Sequence, residues 1–315
     1  LIRKEEPTHI GVAFDPPCKT FRHEIYKEYK ANRSATPELI KEALDPLVAL
    51  VRSLGIPTLM VEGYEADDVI GTMAVLGEKE GFDVYMVSPD KDLGQLLSPH
   101  IFQYKPGKSG AENEIIDQKG ICEKFTICNP SQVIDILALW GDASDNVPGV
   151  RGIGEVSARK LIAKYGSIEN IMEHLDELPQ KQADAFREAA PHIEMSKFLV
   201  TIKTDVPIQF SEQELRINVT DSSKCQELFD HYEFPSLLKL LPKTFGIDEP
   251  VKQEAVRHIK FNDSDIRTIA AECIKGGKVG IRIKDGTLYL CHGENVALCT
   301  DFTLARSILE NSSVA

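Results

Sequence analysis

Thr58-Leu59-Met60-Val61, then Gly63-Tyr64-Glu65-Ala66-Asp67-Asp68, then Val69 to Lys79, then Asp83-Val84-Tyr85-Met86-Val87-Ser88-Pro89-Asp90-Lys91-Asp92 read in order as strand, acidic junction, helix and strand ending in acids. Two strands joined by a crossover helix over such short connections lie parallel, with helices covering the sheet on both faces. The pattern repeats upstream. Thr8 to Phe14 is an apolar, β-forming run that stops at Asp15-Pro16-Pro17, so an acid again stands at a strand's C-terminal end. A helix is expected over Phe21 to Ala31. Thr36-Pro37-Glu38 supplies an N-cap and a first-turn proline, and Leu39, Ile40, Ala43, Leu44, Leu47 and Val48 carry a second helix to about Leu54.

Downstream the period turns helical. Val133, Ile136, Leu137 and Trp140 share one face, followed by the loop Gly141-Asp142-Ala143-Ser144-Asp145-Asn146 and the glycine-punctuated Pro148 to Gly154. A helix through Ala158, Leu161 and Ile162 ends at Gly166, with Ser167 as the next N-cap. More helix is expected over Pro179 to Thr201, a strand over Val206 to Phe210, and a linker over 242–254. Lys278 to Ile283 and Thr287 to Leu290 flank Lys284-Asp285-Gly286 as a hairpin. The fold class is therefore α/β: a central, mostly parallel sheet covered by helices at 1–130, a helical region at 131–241, a linker, and at 255–315 the start of a second α/β domain.

Composition bounds the function. An apolar fraction of 42% supports a sizeable core. Seven cysteines with no C-x-x-C pair suggest neither a disulfide framework nor zinc, and no run of residues is apolar enough to span a membrane, so a cytoplasmic protein is expected. Net charge −13 opposes binding to nucleic acid, but if eight clustered acids meet cations the remaining surface carries −5.

Those eight are Asp15; Glu65, Asp67 and Asp68; Asp90 and Asp92; Asp142 and Asp145. Ligands of open parallel sheets bind beyond the strands' carboxyl ends, so acids at three successive strand ends should converge. Packed carboxylates raise one another's pKa unless cations neutralise them, and oxygen donors without His or Cys favour Mg²⁺ or Mn²⁺. Two such ions about 4 Å apart hydrolyse phosphodiesters. Any single acid is as well read as a cap or loop solvator; four clusters in register with a sheet favour the metal reading.

Of the cations, Arg22, Lys30 and Arg33 lie on or just after the helix that follows Asp15, with Tyr29 among them, and could stabilise charge on a transferring phosphoryl group. The plain alternative is a solvated helix face paired with Glu24 and Glu28. Gly149, Gly152 and Gly154 follow a polar loop rather than a strand, and Ser157 stands where a dinucleotide fingerprint needs its third glycine, so a Rossmann site is excluded. The glycines can instead bring a phosphate to a helix N-terminus, with Arg159, Lys160 and Lys164 nearby, or simply permit a tight turn between helices.

His9 to Asp15, Phe21-Arg22-His23-Glu24 with Tyr29 to Arg33, Gly63 to Asp68, Asp90-Lys91-Asp92 and Gly141 to Asn146 resemble, in order, the 5′ nuclease domain of bacterial DNA polymerases I, within the flap endonuclease family. The resemblance covers roughly 1–240. It implies a PIN/FEN-like core in which Asp15, Glu65, Asp67 and Asp68 hold or surround a first metal and Asp90, Asp92, Asp142 and Asp145 a second. Arg22, Lys30 and Arg33 would line an arch over the site as catalytic residues, Tyr29 would touch DNA, and the glycine turn would be a helix-hairpin-helix element gripping duplex through a monovalent cation. DNA flaps, nicks or primer-bearing duplex would be the substrate. A further strand with another metal-site aspartate is implied upstream of Leu1, and exonuclease-like and polymerase domains downstream, in a monomer. The segment at Val279 to Ile283 has no Asp-x-Glu pair, so catalytic proofreading is not expected there. The competing readings are a DNA-binding module without turnover and an RNA-cutting relative.

Overall fold

Apolar periodicity builds most of the helices where the sequence places them, although the N-cap expected at Thr36 falls on Pro37, with no side-chain cap, and the strands are shorter than their apolar runs. The computed structural model describes residues 1–107, 112–217 and 222–239, and beyond them 262–263, 268–269, 271–272, 275, 279–284, 286–292, 295–300 and 310. A short helix α1 (Ile2–Glu5) is followed by β1 (Val12–Ala13), α2 (Phe21–Ile25) and α3 (Glu38–Ser53). Next come β2 (Thr58–Leu59), α4 (Ala66–Lys79), β3 (Val84–Val87), a 3-10 helix at Asp92–Leu96, β4 (Ile101–Lys105), β5 (Glu114–Ile116) and α5 (Gln118–Phe125).

Strand β1 pairs in parallel with β2, in register Val12 to Thr58, and β3 pairs in parallel with β4, in register Val84 to Ile101. The third strand of the second ribbon, β5, is antiparallel to β4. Among the described residues the two ribbons share no strand ladder, so the single sheet expected from the sequence is seen as two pieces. Gln103 interrupts the apolar run of β4 and hides that strand from sequence patterning. Its buried amide donates to the carbonyls of Ser88 (3.1 Å) and Asp90, tying β4 to the turn that bears the acids.

The helical region comprises α6 (Gln132–Trp140), α7 (Glu155–Tyr165), α8 (Ile168–Glu173), α9 (Gln180–Val200), α10 (Glu212–Leu215), α11 (Ser222–His231) and α12 (Pro235–Leu238). Helix α6 is apolar nearly all round: Val133, Ile136, Leu137 and Leu139 are buried against α7, α9 and the 3-10 helix. At about 1.5–3 kcal/mol for each such side chain, this helix is the axis of the core. Its C-terminus therefore delivers the 141–146 loop to a fixed place. Gly166 (φ 86) stops α7 and the Ser167 hydroxyl accepts from Asn170 N, as the sequence requires.

Two further expectations are corrected. The helix expected over Phe21 to Ala31 ends at Ile25, because Tyr26 is extended and Lys30 takes a left-handed backbone (φ 57). Val206 to Phe210 pairs with no strand; Val206 N instead donates to Thr72 Oγ1 on α4 (3.2 Å).

The chain divides into two compact units, Leu1–Ile247 and Asp248–Ala315. In the second, β6 (Asn262–Asp263), β7 (Gly280–Lys284), β8 (Thr287–His292) and β9 (Asn295–Cys299) form a sheet in the order β6-β9-β8-β7. The hairpin expected there closes between Lys284 and Thr287, with Gly286 at φ 74. Linker 242–254 lies outside the described residues. No helix of the described residues is long and apolar enough to cross a membrane.

Candidate active site

Helix α4 opens with a capping box: Glu65 is the N-cap, and the Asp68 carboxylate accepts from Glu65 N at 3.1 Å. The box turns Asp68 inward, where it is completely buried. Arg22 meets it in a fork, Nη1 to Oδ2 at 2.6 Å and Nη2 to Oδ1 at 2.8 Å, and Lys203 N supplies a further donor at 2.9 Å. Arg22 is itself buried and donates to the carbonyls of Leu199 and Thr201, both at 2.9 Å. Burial opposes its charge, but Asp68 and Glu65 raise its pKa nonetheless. These two residues were expected at the site as an arch cation and a metal acid. They form a clamp joining α2, α4 and the end of α9, with both Asp68 oxygens hydrogen-bonded to Arg22 and Arg22 Nη1 also 3.4 Å from Glu65.

The remaining acids do gather. Asp15 accepts from Ala66 N at 2.7 Å, which sets the end of β1 against the N-terminus of α4. Asp67 is pushed up to about 7, first by burial, then by the charges of Asp90, Asp15 and Glu65. Asp92 is likewise pushed to about 7 by burial; Lys91 pulls it down, and Asp90, Asp142 and Asp67 push it up. For Asp142, burial pushes upward but hydrogen bonds from the Ser144 hydroxyl and Lys91 win, holding it at about 2. Acids from four segments, after β1, at the start of α4, after β3 and in the 141–146 loop, thus act on one another. Asp90 and Asp92 are joined in a turn, where Asp92 N donates to Asp90 Oδ1 (2.9 Å), leaving Asp90 exposed and Asp92 largely enclosed.

The segment after α2 is pinned across the cluster to the 141–146 loop. Lys30 N donates to Asp145 O (2.9 Å), Asn146 Nδ2 to Glu28 O (2.7 Å), Asn32 Nδ2 to Ala143 O (2.6 Å) and Arg33 Nε to Ser144 O (3.2 Å). Lys30 Nζ lies 2.6 Å from Glu65 and 3.7 Å from Asp145, and Arg33 pairs closely with Asp145. Both cations therefore reach the acids, from turns rather than from one helix face. Tyr29, expected on DNA, is buried, and its hydroxyl donates to Glu65 (3.0 Å) and Asp145 (3.2 Å). Burial first, then those two acids, raise its pKa and keep it protonated.

Sequence reasoning missed Lys91. Its ammonium lies 2.9 Å from Asp142, 3.5 Å from Asp92 and 5.1 Å from the centre of the Trp140 ring. The available signal was a cation placed between two acids of one motif. Among the described residues no three acids form a ready ion cage, and Lys30 and Lys91 each stand between two of them. The donor set nevertheless suits a hard divalent ion. Asp92 Oδ1 is buried with no hydrogen-bond partner, Lys91 being close enough only for charge attraction, and all the converging donors are carboxylate oxygens.

The glycine turn divides in two. A Cβ on Gly149 would come within 2.5 Å of Trp140 O and 2.7 Å of Gly141 N, so this glycine serves close backbone contact, not a ligand. Gly152 (φ 80) and Gly154 face open space at the start of α7, with Lys160 exposed one turn on. Arg159 bonds to Lys124 O and Glu155, and Lys164 bonds to Tyr165 (2.7 Å) and Glu177 (2.9 Å), so both are engaged internally.

An α/β core with acids at its strand ends is followed by a helical module opening on a glycine turn. Residues 1–126 match the family model of the 5′-3′ exonuclease N-terminal resolvase-like domain, and residues 128–223 that of the 5′-3′ exonuclease C-terminal SAM fold. The chain belongs to the 5′-3′ exonuclease family. Curated relatives include DNA polymerase I of Bacillus caldotenax, 39% identical over 79% of this chain and 28% of that protein. Another is the 5′-3′ exonuclease of Aquifex aeolicus, 38% identical over 78% of this chain and 82% of that one. The chain thus spans just over a quarter of the polymerase it matches. Among solved structures, T5 5′-exonuclease with bound zinc has the same fold, at TM-score 0.55 and 22% identity, over 78% of this chain and 86% of that one.

Proposed function

We propose that this chain hydrolyses phosphodiester bonds at 5′ ends and flaps of DNA, as the nuclease portion of a DNA polymerase I, using two divalent ions, Mg²⁺ or Mn²⁺. The observation that carries the reading is the gathering of acids from the end of β1, the start of α4, the turn after β3 and the 141–146 loop, bridged by Lys30 and Lys91; burial first, then neighbouring carboxylates, push Asp67 and Asp92 up to about 7. Such a cluster is relieved by bound cations. Asp15, Glu65 and Asp67 would hold one ion, and Asp90, Asp92, Asp142 and Asp145 the other. Bound there, the ions supply an activated water and stabilise the leaving oxygen. Asp68 and Arg22 position α4. Lys30 and Arg33 would pair with the scissile phosphate, and Tyr29, which donates to Glu65 and Asp145, would orient them.

Gly152, Gly154 and Lys160 would hold the duplex backbone with a monovalent cation, Gly149 supporting the turn and Arg159 and Lys164 bracing α7. In this reading 1–130 is the nuclease core, 131–241 the duplex grip, 242–254 a linker and 255–315 the start of an exonuclease-like domain, in a cytoplasmic monomer. The B. caldotenax and A. aeolicus relatives, named as a DNA polymerase I and a 5′-3′ exonuclease, support the substrate class. The test is cleavage of an end-labelled 5′-flap DNA with Mg²⁺, beside Asp90→Ala. Loss of product in the variant is expected. Equal product from both proteins sinks the proposal, and binding without cutting favours a DNA-binding module instead.

A further inference from the structure

Two lysines occupy matching places in the cluster. Lys30 joins Glu65 of the α4 junction to Asp145, and Lys91 joins Asp92 beyond β3 to Asp142, so each ties an acid of the α/β core to an acid of the 141–146 loop. Lys30 has a part in the proposed reaction. Lys91 has none, and it is built into position: its ammonium lies near the Trp140 ring at the end of α6, and its side chain is only about one-third exposed (35%). It donates one good hydrogen bond, to Asp142 Oδ2 (2.9 Å). At 3.5 Å it leaves Asp92 Oδ1 buried without a hydrogen-bond partner. A monovalent point charge on a flexible stem neutralises this pair incompletely, where a divalent ion with several oxygen ligands does so fully.

We propose that Lys91 is a positioning residue that acts as an internal counterion, holding Asp92 and Asp142 together until a divalent ion displaces its ammonium. The inference rests on the two-ion reading above. It accounts for the fixed place of the 141–146 loop, since the ammonium ties Asp142 to Asp92 of the core. It also makes Lys91 a competitor of the ion: neutralisation by the lysine is surrendered when the metal enters, which lowers affinity on that side of the site.

The test compares wild type, Lys91→Met and Lys91→Arg by Mn²⁺ titration calorimetry without DNA, and by thermal melting in EDTA and in saturating Mn²⁺. Met keeps the alkyl stem beside Trp140 and removes the charge. Lys91→Met should bind its weaker Mn²⁺ about five-fold more tightly, the size of a partly buried ion pair. It should melt below wild type in EDTA, with the gap closing in Mn²⁺. Lys91→Arg should restore the wild-type behaviour in both measurements. Unchanged or weaker Mn²⁺ binding by Lys91→Met, or a melting deficit equal with and without Mn²⁺, overturns the proposal, because a merely structural ion pair gives that result. Failure of Lys91→Met to fold in either condition overturns it as well; folding only with Mn²⁺ supports it. Absence of Mn²⁺ binding by the wild type sinks the two-ion reading itself, so the two failures are distinguishable.

Discussion

At the scale of single residues, chemistry and stability pull in opposite directions. Asp67 and Asp92 carry carboxyl groups at about 7, and each ionised form is resisted by burial and by its neighbours. Asp67→Asn removes one of the repelling charges without changing shape. It should raise stability in EDTA by about 1–2 kcal/mol near neutral pH, after allowance for the part of the side chain that water reaches, while weakening Mn²⁺ binding. Urea unfolding and calorimetry on the same variant check both. Arg22→Met should behave in the opposite way. It strands the fully buried Asp68 carboxylate and should cost about 3–5 kcal/mol in urea unfolding, with or without metal. Sequence spacing could gather Asp15, Asp67, Asp90, Asp92, Asp142 and Asp145 into one neighbourhood, because strand ends and loops already imply it. It could not tell Asp67 from Asp68. Adjacent acids at a helix start point to different sides, and which one faces inward depends on where Arg22 arrives from, many residues away in the chain.

At the scale of elements, legibility followed the strength of the local signal. Helices α4, α6, α7 and α9 carry apolar periods, with glycine stops after α6 and α7, and they form where expected. Strands of two to five residues give patterning little to work with, and β4 is further masked by its buried Gln103. The turns over 26–33 were unreadable because they are set by tertiary bonds: Lys30 adopts φ 57 while its N–H reaches Asp145 O, a partner that local sequence cannot supply. The glycine turn shows how similar residues serve different ends. Gly149→Ala forces the backbone away from Trp140 and Gly141. It should cost about 1–3 kcal/mol and weaken Mn²⁺ binding too, because Asp142 moves with Gly141. Gly152→Ala meets no neighbour but must hold φ 80, so about 1–2 kcal/mol is lost with Mn²⁺ affinity retained. Melting and calorimetry on the pair separate the two roles.

At the scale of the whole molecule, the acids make folding depend on pH and on cations. Asp67 and Asp92 have a reference value of 3.8 and sit at about 7 in the folded chain. Between those values the folded state keeps protons that the unfolded chain has released, so stability must fall as pH rises through the window and stay low above it. Asp142, held at about 2, works the other way but only below 3.8. Melting points in EDTA should therefore decline from about pH 4 to about pH 7, and excess Mg²⁺ should flatten the decline. An unchanged melting point across this range would contradict the electrostatic account of the cluster.

The backbone between the 141–146 loop and the glycine turn is welded. Asp142 and Val147 exchange hydrogen bonds at 3.0 and 2.8 Å, Val150 N donates to Leu139 O at 2.8 Å, and Gly149 lies flush against Trp140 and Gly141. On the proposed reading, a strand held at Gly152 and Gly154 would be presented to Asp142 and Asp145 at a spacing set by the protein rather than by the nucleic acid, which would make the segment a ruler. One residue inserted after Val147 should shift which bond is cut, visible as a change in product length on a sequencing gel. Slower cutting at an unchanged position would mean that the measuring is done elsewhere.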